Sequence, residues 1–560
     1  WNDAGGTFDG TPGSTGKFTF NGAGSTITTD AAGGNKFFNL TSAGNPINAG
    51  SDLDIDGDFT VAGGLFVPGN FNHTVAGNWD DSGGIFTAGA GTGKITFDGG
   101  TSTNIKSGLT NDFHHFEINT TADKTVITNN LDIDGDFTIT AGTFNPGALS
   151  HDIAGNWDGS GGTFTGGTST ITLSGTTKTI KTGGGNKFND LTVSGSAATI
   201  SDNDVEIGGV LTASGTLTVA AGDQLTFTGS SKAHIIDGTL TVNTSLGINS
   251  ILDFTGSTSN TVVVNNGGTL NLDGTGNGGD NSTGRVFLTG DADSRVDLTF
   301  PSTGTNDGLF DGDHFTISFP VAAGIKINSD AAHQMNNGFL KNPTSGGVLL
   351  NFESASTLPT TIDSCSFVST VATDINVKSN SSTSINGSTD ATTFTNFSGN
   401  ISGEDNDDDD DNKINWFDNK WYSNPATGND PAIRTNWYSD EGGLGFQPTA
   451  LNFANNAEYE YVISSGHTYT SASATWNNPG KVTMAAGGTL DPAGFEIIVA
   501  GNTVIESTGT LNFSNVNGIF NADGTFSANG GGIITFTAAG SLKLAAVTPD
   551  LGSNLSGTGT

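Results

Sequence analysis

A 78-residue unit repeats at the start of the chain, and this repeat limits what the chain can fold into. Trp1, Trp79 and Trp157 each open a copy. The sequence Leu-Asp-Ile-Asp-Gly-Asp-Phe-Thr occupies residues 53–60 and returns at 131–138. A long period is typical of an array in which stacked units bury one another's apolar faces, because a single unit cannot close a core alone. The repeat therefore favours a stacked architecture over a closed globular enzyme.

The composition places the stacked units in the all-β class. Glycine provides 84 of the 560 residues, and Thr, Ser, Asn and Asp fill much of the remainder, whereas 36 phenylalanines are available for a core. Short runs such as 17–20, 25–28 and 59–61 alternate apolar with polar residues and end at Gly, Asn or Asp, which predicts half-buried strands. Helical periodicity is absent. We therefore expect an elongated, right-handed parallel β-helix (a β-solenoid), in which each unit provides three or four coils of about 20–26 residues.

The sequence predicts four segments along this solenoid. Residues 1–200 contain the 78-residue repeats, and residues 201–402 continue as an irregular solenoid. There, Gly-Thr-Leu-x-Val phrases mark strands that leave a glycine corner, and they recur at intervals close to one coil. Residues 403–450 form an acidic and aromatic junction, and solenoid sequence returns over 451–560. We therefore expect two solenoid regions separated by the junction.

The charge of the chain excludes several classes of partner. Asp and Glu number 56 against 19 Lys and Arg, which gives a net charge of −37. Such a chain has no basic surface to neutralise phosphates, so we expect no nucleic-acid partner. It also contains no apolar run long enough to cross a bilayer, so we expect no membrane insertion. Cys365 is the only cysteine and lies in an alternating apolar and polar run, which predicts a buried thiol without a disulfide.

The strongest local signal for a ligand is the acidic run that opens the junction. A twelve-residue calcium loop beginning at Asp407 would have carboxylates at positions 1, 3 and 5, and Asn412 at position 6, where a left-handed backbone is needed. Over these twelve residues the run resembles the calcium loops of EF-hand, dockerin and thrombospondin-type repeats. It departs from them because position 12 is Asp rather than Glu and no helix flanks the loop; a solvated acidic linker is the alternative. The predicted calcium ligands are Asp407, Asp409, Asp411, Asn415 and Asp418.

Two other acidic stretches lie inside the repeats, at 52–58 and 132–136. Their Asp residues alternate with Leu, Ile or Gly, so the carboxylates should face outward on one side of a strand. A cation between stacked carboxylates would relieve their repulsion. The third copy retains only Glu206 at this place, which favours a solvated outer face over a metal site in every unit.

An aromatic cluster follows the acidic run, next to Pro425 and Pro431. Aromatic rings beside a break rich in Gly, Pro and Asn either cap a new hydrophobic core or form a platform on which sugars stack. The cluster therefore predicts a module cap or, alternatively, a glycan-binding patch. Its members are Trp416, Trp421, Tyr422, Trp437 and Tyr438.

Motifs for catalysis are scarce. The eight histidines are scattered, and the chain has no His-Glu-x-x-His, phosphate-binding loop or nucleophile elbow. A polysaccharide-cleaving β-helix would need clustered carboxylates, or calcium with a basic residue. The segment around Cys365, with Asp363, Asp374 and Lys378, resembles pectate-lyase-like coils and keeps that alternative open. We expect a protein that is not an enzyme.

The Gly-Thr-Leu-x-Val coils, the Gly-Asn-Trp-Asp phrases at 77–80 and 155–158, and the module opening at Asn415-Trp416 resemble the very large secreted β-strand-repeat proteins of bacteria. Those proteins are similar in kind to filamentous haemagglutinin-like surface proteins, which are β-solenoid adhesins. The resemblance covers nearly the whole chain. It implies an extracellular or cell-surface location and no catalytic residues to transfer.

From the repeat and this resemblance we expect a structural protein that forms a stiff surface fibre, filament or stalk. Its partners would be copies of itself, or further modules of the same chain, joined end to end. The alternatives are an adhesin that binds cell-surface glycans or cells, and a polysaccharide-cleaving β-helix enzyme. Trp1 and Thr560 both fall in repeat-like sequence, so we expect either a longer polypeptide or a neighbouring subunit that covers the exposed end.

Overall fold

The computed structural model describes most of the 560-residue chain. The residues outside the description are 3–15, 30–33, 89–91, 202–203, 276–282, 302–306, 329–330, 332, 346, 353–360, 364, 369–374, 380–384, 389–392, 396–406, 410–413, 418–419, 425–427, 439–458, 473, 479, 529–530, 546–554 and 558–560. The backbone alone is described for the strands Ile375–Ser379, Ile385–Ser388, Thr393–Thr395, Asp407–Asp409, Ile414–Phe417 and Leu555–Gly557, and for residues 361, 363 and 434.

The described residues form short strands and no α-helix. The single helical segment among them is the 3-10 helix Arg434–Asn436. The chain divides into two compact units. Unit 1 comprises residues 1–358, 365–382 and 394–408, and unit 2 comprises residues 359–364, 383–393 and 409–560.

Unit 1 is a three-sided parallel β-solenoid in which each coil contributes one strand to each face, and this confirms the predicted fold class. Face 1 consists of Lys36–Phe37, Asp54–Ile55, Asn72–Val75, Lys94–Phe97, the first halves of His115–Thr128 and Phe137–Asn145, Trp157–Gly159, Lys178–Thr182, Ala198–Ile200, Thr216–Val219, Thr239–Asn243, Thr269–Asp273, Leu309–Asp313 and Gln334–Asn336. Face 2 consists of Lys17–Phe20, Asn39–Ser42, Phe59–Val61, Trp79–Asp80, Thr103–Lys106, the second halves of the two long strands, Thr163–Phe164, Lys187–Phe188, Val205–Ile207, Gln224–Phe227, Ser250–Asp253, Val286–Thr289, Phe315–Ser318, Phe339–Lys341 and Ser366–Val368. Face 3 consists of Ser25–Ile27, Ile47–Ala49, Leu65–Val67, Ile85–Phe86, Asp112–Phe113, Asp132–Ile133, Ser150–Ile153, Thr170–Leu173, Asp190–Val193, Leu211–Ala213, Ala233–Ile236, Thr261–Val264, Asp297–Phe300, Ile325–Ile327, Val348–Phe352 and Ile375–Ser379.

The alternation of apolar and polar residues builds the interior of unit 1. Successive side chains of a strand point to opposite sides, so every second residue faces inward. Ile55, Val75, Phe97 and Ile118 pair in register from coil to coil on face 1, and all four are buried. Because the register keeps apolar residues above apolar residues, the interior consists of columns of aliphatic and aromatic side chains.

Glycine is required where the corners of successive coils approach each other. A Cβ atom on Gly77 would lie 2.4 Å from the carbonyl carbon of Gly57, and one on Gly155 would lie 2.1 Å from the carbonyl carbon of Gly135. No side chain fits at such distances. Gly77 and Gly155 occupy equivalent positions in two copies of the repeat, so the repeat preserves this close approach.

The 78-residue repeat is not a whole number of coils. Ile55 pairs with Val75 on face 1, whereas its equivalent Ile133 pairs with Ile153 on face 3. One repeat contains eleven strand segments when the two halves of His115–Thr128 are counted separately. Eleven strands on three faces make three and two-thirds coils, so equivalent residues move by one face from copy to copy. The predicted range of three or four coils per repeat includes this value. The sequence did not predict that equivalent residues move by one face from copy to copy.

Unit 1 continues without a break through residue 200, where Ala198–Ile200 pairs in parallel with Thr216–Val219. Unit 2 contains a second three-sided parallel solenoid. Its first face consists of Lys420–Ser423, Glu460–Ile463, Lys481–Met484, Thr503–Ile505 and Phe526–Ser527; its second of Thr468–Thr470, Thr489–Asp491, Thr510–Phe513, Ile533–Phe536 and Leu555–Gly557; and its third of Trp476–Asn478, Glu496–Val499, Ile519–Ala522 and Ser541–Leu544. The remaining strands are Thr361–Asp363, Ile385–Ser388 and Ile414–Phe417, which pair in parallel with one another, together with Thr393–Thr395, Asp407–Asp409 and Trp437–Tyr438.

Candidate functional site

The predicted calcium ligands lie outside the described side chains. Two of them belong to the strand Asp407–Asp409 and one to Ile414–Phe417, for which the backbone alone is described. Asp411 and Asp418 fall outside the description altogether. The calcium site therefore stays a prediction.

Two tryptophans of the aromatic cluster lie in the core of unit 2. Trp421 and Trp437 are fully buried. The centre of the Trp437 ring lies 5.0 Å from that of Tyr469 and 5.5 Å from that of Trp476. Its Nε1 atom donates a hydrogen bond to the carbonyl oxygen of Pro431 at 3.0 Å. Neither buried indole is available to stack on a sugar while this core is closed.

The chain around Trp437 folds back on the first coil of unit 2. Trp437–Tyr438 pairs antiparallel with Lys420–Ser423, in contrast to the parallel pairing of the solenoid faces. The backbone N–H of Thr470 donates to the carbonyl oxygen of Asn429 at 2.7 Å. An antiparallel segment that covers the first coil is the arrangement expected of a solenoid cap.

A tyrosine hydroxyl fastens this cap. The Tyr469 hydroxyl accepts a hydrogen bond from the backbone N–H of Asn424 at 2.9 Å and donates one to the carbonyl oxygen of Asn436. Burial raises the pKa of Tyr469 well above its usual range, so the hydroxyl stays protonated. Tyr422 and Tyr438 are cross-strand neighbours and only half-buried. Within the described side chains of the cluster, a sugar could reach only these two rings.

The acidic stretch of the first copy is held by neighbouring coils. The Nζ atom of Lys36 lies 3.4 Å from the carboxylate of Asp54 and 3.2 Å from that of Asp56. The hydrogen bond to Asp56 is the main cause of the raised pKa of Lys36. Asp58 accepts hydrogen bonds from the backbone and side-chain nitrogens of Asn78 at 2.7 and 3.0 Å. These carboxylates therefore have ionic or hydrogen-bonding partners within the protein.

The acidic stretch of the second copy meets different neighbours because it lies on face 3. Asp112, Asp132 and Asp152 pair in register in three successive coils. Burial, followed by the repulsion of neighbouring carboxylates, raises the pKa of Asp132 and of Asp134. Within the described part of the chain, no three His, Cys, Asp or Glu side chains converge in a group that could hold a metal ion. The same motif thus meets two environments through the one-face shift.

The Gly-Asn-Trp-Asp phrase builds the same polar corner in both copies. In the first copy the backbone N–H of Asn78 donates to Asp58 at 2.7 Å, and the backbone N–H of Asn104 donates to the side-chain oxygen of Asn78 at 2.9 Å. The equivalent hydrogen bonds around Asn156 measure 2.8 and 3.0 Å. Each Asn therefore joins three successive coils, and the tryptophan that follows it is buried in the core.

Four buried histidines also join coils, a role that was not predicted from the sequence. In each, Nδ1 accepts a hydrogen bond from a backbone N–H of the preceding coil, at distances of 2.9–3.1 Å. An Nδ1 atom that accepts a hydrogen bond belongs to a neutral ring. Burial lowers the pKa of all four rings, to about 4 in three of them. The four are His73, His151, His234 and His333.

The 78-residue spacing between His73 and His151 is the one signal in the sequence that points to this role. In both, Nε2 lies within hydrogen-bond distance of a proline carbonyl oxygen, that of Pro68 at 3.0 Å and that of Pro146 at 2.8 Å. Because Nδ1 accepts a hydrogen bond, Nε2 carries the proton and donates a hydrogen bond to that carbonyl oxygen. The neutral ring is therefore fixed on both sides.

A buried lysine bridges further coils. The Nζ atom of Lys124 donates hydrogen bonds to the carbonyl oxygens of Gly99 and Thr101 at 3.1 Å each, and to the hydroxyl of Thr103 at 2.8 Å. Burial lowers the pKa of Lys124, and the charge of Asp98 opposes that shift. Its acceptors are backbone and hydroxyl oxygens, so this cation stabilises the solenoid from within.

The segment around Cys365 bears on the enzyme alternative. Cys365 is fully buried and its Sγ atom lies 3.3 Å from the carbonyl oxygen of Met335, which confirms the predicted buried thiol. The side chains of Asp363, Asp374 and Lys378 fall outside the description. That alternative therefore stays untested at this segment.

Two shallow grooves on unit 1 also bear on the enzyme alternative. The larger, of about 400 Å³, contains Lys187 and no carboxylate. The smaller, of about 250 Å³, contains Asp58 and Asp80. Asp58 is bonded to Asn78, and Asp80 lies 3.4 Å from the Nζ atom of Lys106. Neither groove offers the pair of free carboxylates that glycoside hydrolysis needs.

No family model, curated protein or solved structure matches this chain. The resemblance to haemagglutinin-like surface proteins therefore rests on the sequence motifs alone. No helix among the residues that the structure describes has the length and hydropathy needed to cross a bilayer.

Proposed function

We propose that the chain is a structural β-solenoid that forms a stiff part of an extracellular surface fibre, filament or stalk. The observation that carries the proposal is the unbroken parallel pairing of face 3 from Asp112–Phe113 to Val348–Phe352. At a spacing of 4.7–4.9 Å between neighbouring strands, this part of face 3 extends over about 50 Å. Backbone hydrogen bonds along that whole length resist bending and stretching.

The polar side chains of unit 1 support a structural role. Asn78, His73 and Lys124 each form hydrogen bonds that join neighbouring coils. The net charge of −37 keeps neighbouring rods apart and soluble. Because Trp421 and Trp437 are buried, their rings cannot bind the glycans that the adhesin alternative requires.

The proposed partners are copies of the chain, or further modules of the same polypeptide, joined end to end. A parallel solenoid presents unpaired strand edges at the ends of its stack, and these edges pair readily with another strand. Lateral association is disfavoured because the outer faces carry like charge.

Single-molecule force spectroscopy on the whole chain tests the mechanical role. We expect unfolding in a series of steps, each releasing about one coil of 20 residues, or about 70 Å of extended chain. A single smooth extension at low force would contradict the proposal.

The location is tested separately with an antibody raised against the purified chain, which should label intact producing cells. Labelling only after the cells are permeabilised would contradict the extracellular assignment. Release of reducing ends from an acidic polysaccharide by the purified chain would replace the structural role with the enzymatic alternative.

A further inference from the structure

Face 1 of unit 1 carries threonines that lie in register over successive coils. Their side chains point outward and are half-buried between neighbours of the same kind. The first column consists of Thr179, Thr199, Thr218 and Thr241, in four successive coils. The second column lies two residues earlier in each strand and consists of Thr216, Thr239 and Thr269. Together these seven residues form the threonine array.

The geometry of parallel strands places the array on a rectangular lattice, and two coils carry both columns, with Thr216 and Thr218 in one and Thr239 and Thr241 in the next. Neighbouring coils are 4.7–4.9 Å apart, and residues two apart in a strand are about 6.7 Å apart. Leu217, Leu240 and Leu270 lie between the two columns in sequence and are buried beneath them. The side-chain lattice is therefore backed by a packed core and held in place by the sheet.

The chemistry of the array differs from that of the acidic outer surfaces. Some outward threonines there donate to carboxylates, as Thr74 does to Asp54 at 2.9 Å. In the array, Thr179 bonds to Asn156. The side-chain hydroxyls of the other six have no hydrogen-bond partner among the described residues, so they face solvent. No charged residue occupies either column between Thr179 and Thr269, although the chain has a net charge of −37. Lys181 and Asp273 lie two residues further along the strands, at the two ends of the array.

We propose that the threonine array is an ice-binding surface. The prism face of ice repeats its oxygen atoms on a rectangular lattice whose two spacings are close to those of the array. Hydroxyl groups held at these spacings can join that lattice, while the methyl groups between them order the neighbouring water. Charged side chains would disturb such a layer by binding liquid water. This activity goes beyond the structural role and does not depend on it.

A crystalline polysaccharide is the competing occupant of a flat, regular surface. None of the seven residues is aromatic, so the array lacks rings that stack on sugar faces. The lattice of hydroxyl and methyl groups therefore favours ice.

The test measures the inhibition of ice recrystallisation, and the gap between melting and freezing temperatures, with the purified whole chain. We expect wild type to inhibit recrystallisation and to open the gap. Thr218→Lys and Thr241→Lys place a charge in the middle of the array and should abolish both effects. Because the substituted side chains point outward, the thermal unfolding of each variant should match that of wild type.

The matched control is Thr192→Lys on face 3. Thr192 belongs to an outward column with Thr172 and Thr212, but the adjoining column contains Asp190, so no uncharged lattice forms there. This variant should retain both effects. An inactive wild type, or an equal loss in Thr192→Lys, would overturn the proposal. So would binding of wild type to insoluble polysaccharide that the array variants abolish, in the absence of any effect on ice.

Discussion

Single buried histidines hold successive coils of unit 1 together, and each does so only while its ring is neutral. Protonation of Nδ1 would remove the acceptor for the backbone N–H of the preceding coil and leave a charge in the core. His73 and His151 illustrate this at equivalent positions, with accepting distances of 3.0 and 2.9 Å. The stability of the solenoid should therefore depend on pH.

We expect unit 1 to lose stability as the pH falls from 6.5 toward 4. The ordinary histidine pKa is 6.5, whereas burial lowers that of His73, His234 and His333 to about 4. Between these values the unfolded chain binds more protons than the folded chain, so acid favours unfolding. The loss is about 3 kcal/mol for each of the three rings. Denaturant titrations at a series of pH values would measure it.

A non-titrating variant provides the control for this prediction. His234→Asn retains a side-chain acceptor but binds no proton, so it should lose part of the pH dependence. The raised pKa values of Asp132 and Asp134 act in the opposite direction, because those groups bind protons more tightly in the folded chain. They are common to both proteins and cancel in the comparison. An unchanged pH dependence in His234→Asn would contradict the assignment.

Lys124 makes a second prediction for a single residue. Lys124→Met removes the donor for the carbonyl oxygens of Gly99, which is buried, and of Thr101, and we expect the free energy of unfolding to fall by about 2–4 kcal/mol. Lys94→Met is the matched control, since Lys94 pairs with Glu117 but its side chain is 40% exposed. That change should cost less than about 1 kcal/mol. Chemical denaturation measures the loss of unfolding free energy in both variants. A larger loss in Lys94→Met than in Lys124→Met would refute the stabilising role of Lys124.

The corners between strands are the elements that tolerate least change. Gly155→Ala would place a carbon 2.1 Å from the carbonyl carbon of Gly135, so the stacked corners must separate. We expect a loss of about 1–3 kcal/mol. Gly63→Ala has no atom within 4 Å of the added carbon and should be neutral, or stabilising by up to about 1 kcal/mol. Thermal unfolding distinguishes the two, and equal midpoints would show that the corners relax easily.

The acidic run at the start of the junction carries the calcium prediction. Calorimetric titration of the whole chain with calcium should reveal a site that disappears when Asp407, Asp409 and Asp411 are changed to Asn, because the number of carboxylates sets the affinity. Asp132→Asn with Asp134→Asn is the control and should leave the heat unchanged. Absence of binding heat with wild type would exclude the calcium site. Loss of this heat only in the variant with Asp132→Asn and Asp134→Asn would assign the site to face 3.

At the scale of the whole molecule, local patterns predict the class of fold but not the face of the solenoid that each strand joins. Alternation and glycine corners suffice for a parallel solenoid, because they determine which residues face inward and where the chain turns. They do not reveal that one repeat holds eleven strands, since the number of corners in 78 residues depends on tertiary stacking. The burial of His73 follows from alternation alone. The roles of His73 and Lys124 depend on which backbone atoms lie one coil away, and no local pattern records that.

The eleven-strand repeat acts as a screw operation. Each copy is turned by one third of a revolution and advanced by about 18 Å relative to the copy before it. Equivalent outward side chains such as Asp54 and Asp132 therefore lie on different faces of unit 1, and a flat partner can contact only one copy at a time. The Gly-Thr-Leu phrases that follow are one coil apart and are related by translation alone. Translation repeats the same side chains on one face, so a planar lattice extends there from coil to coil.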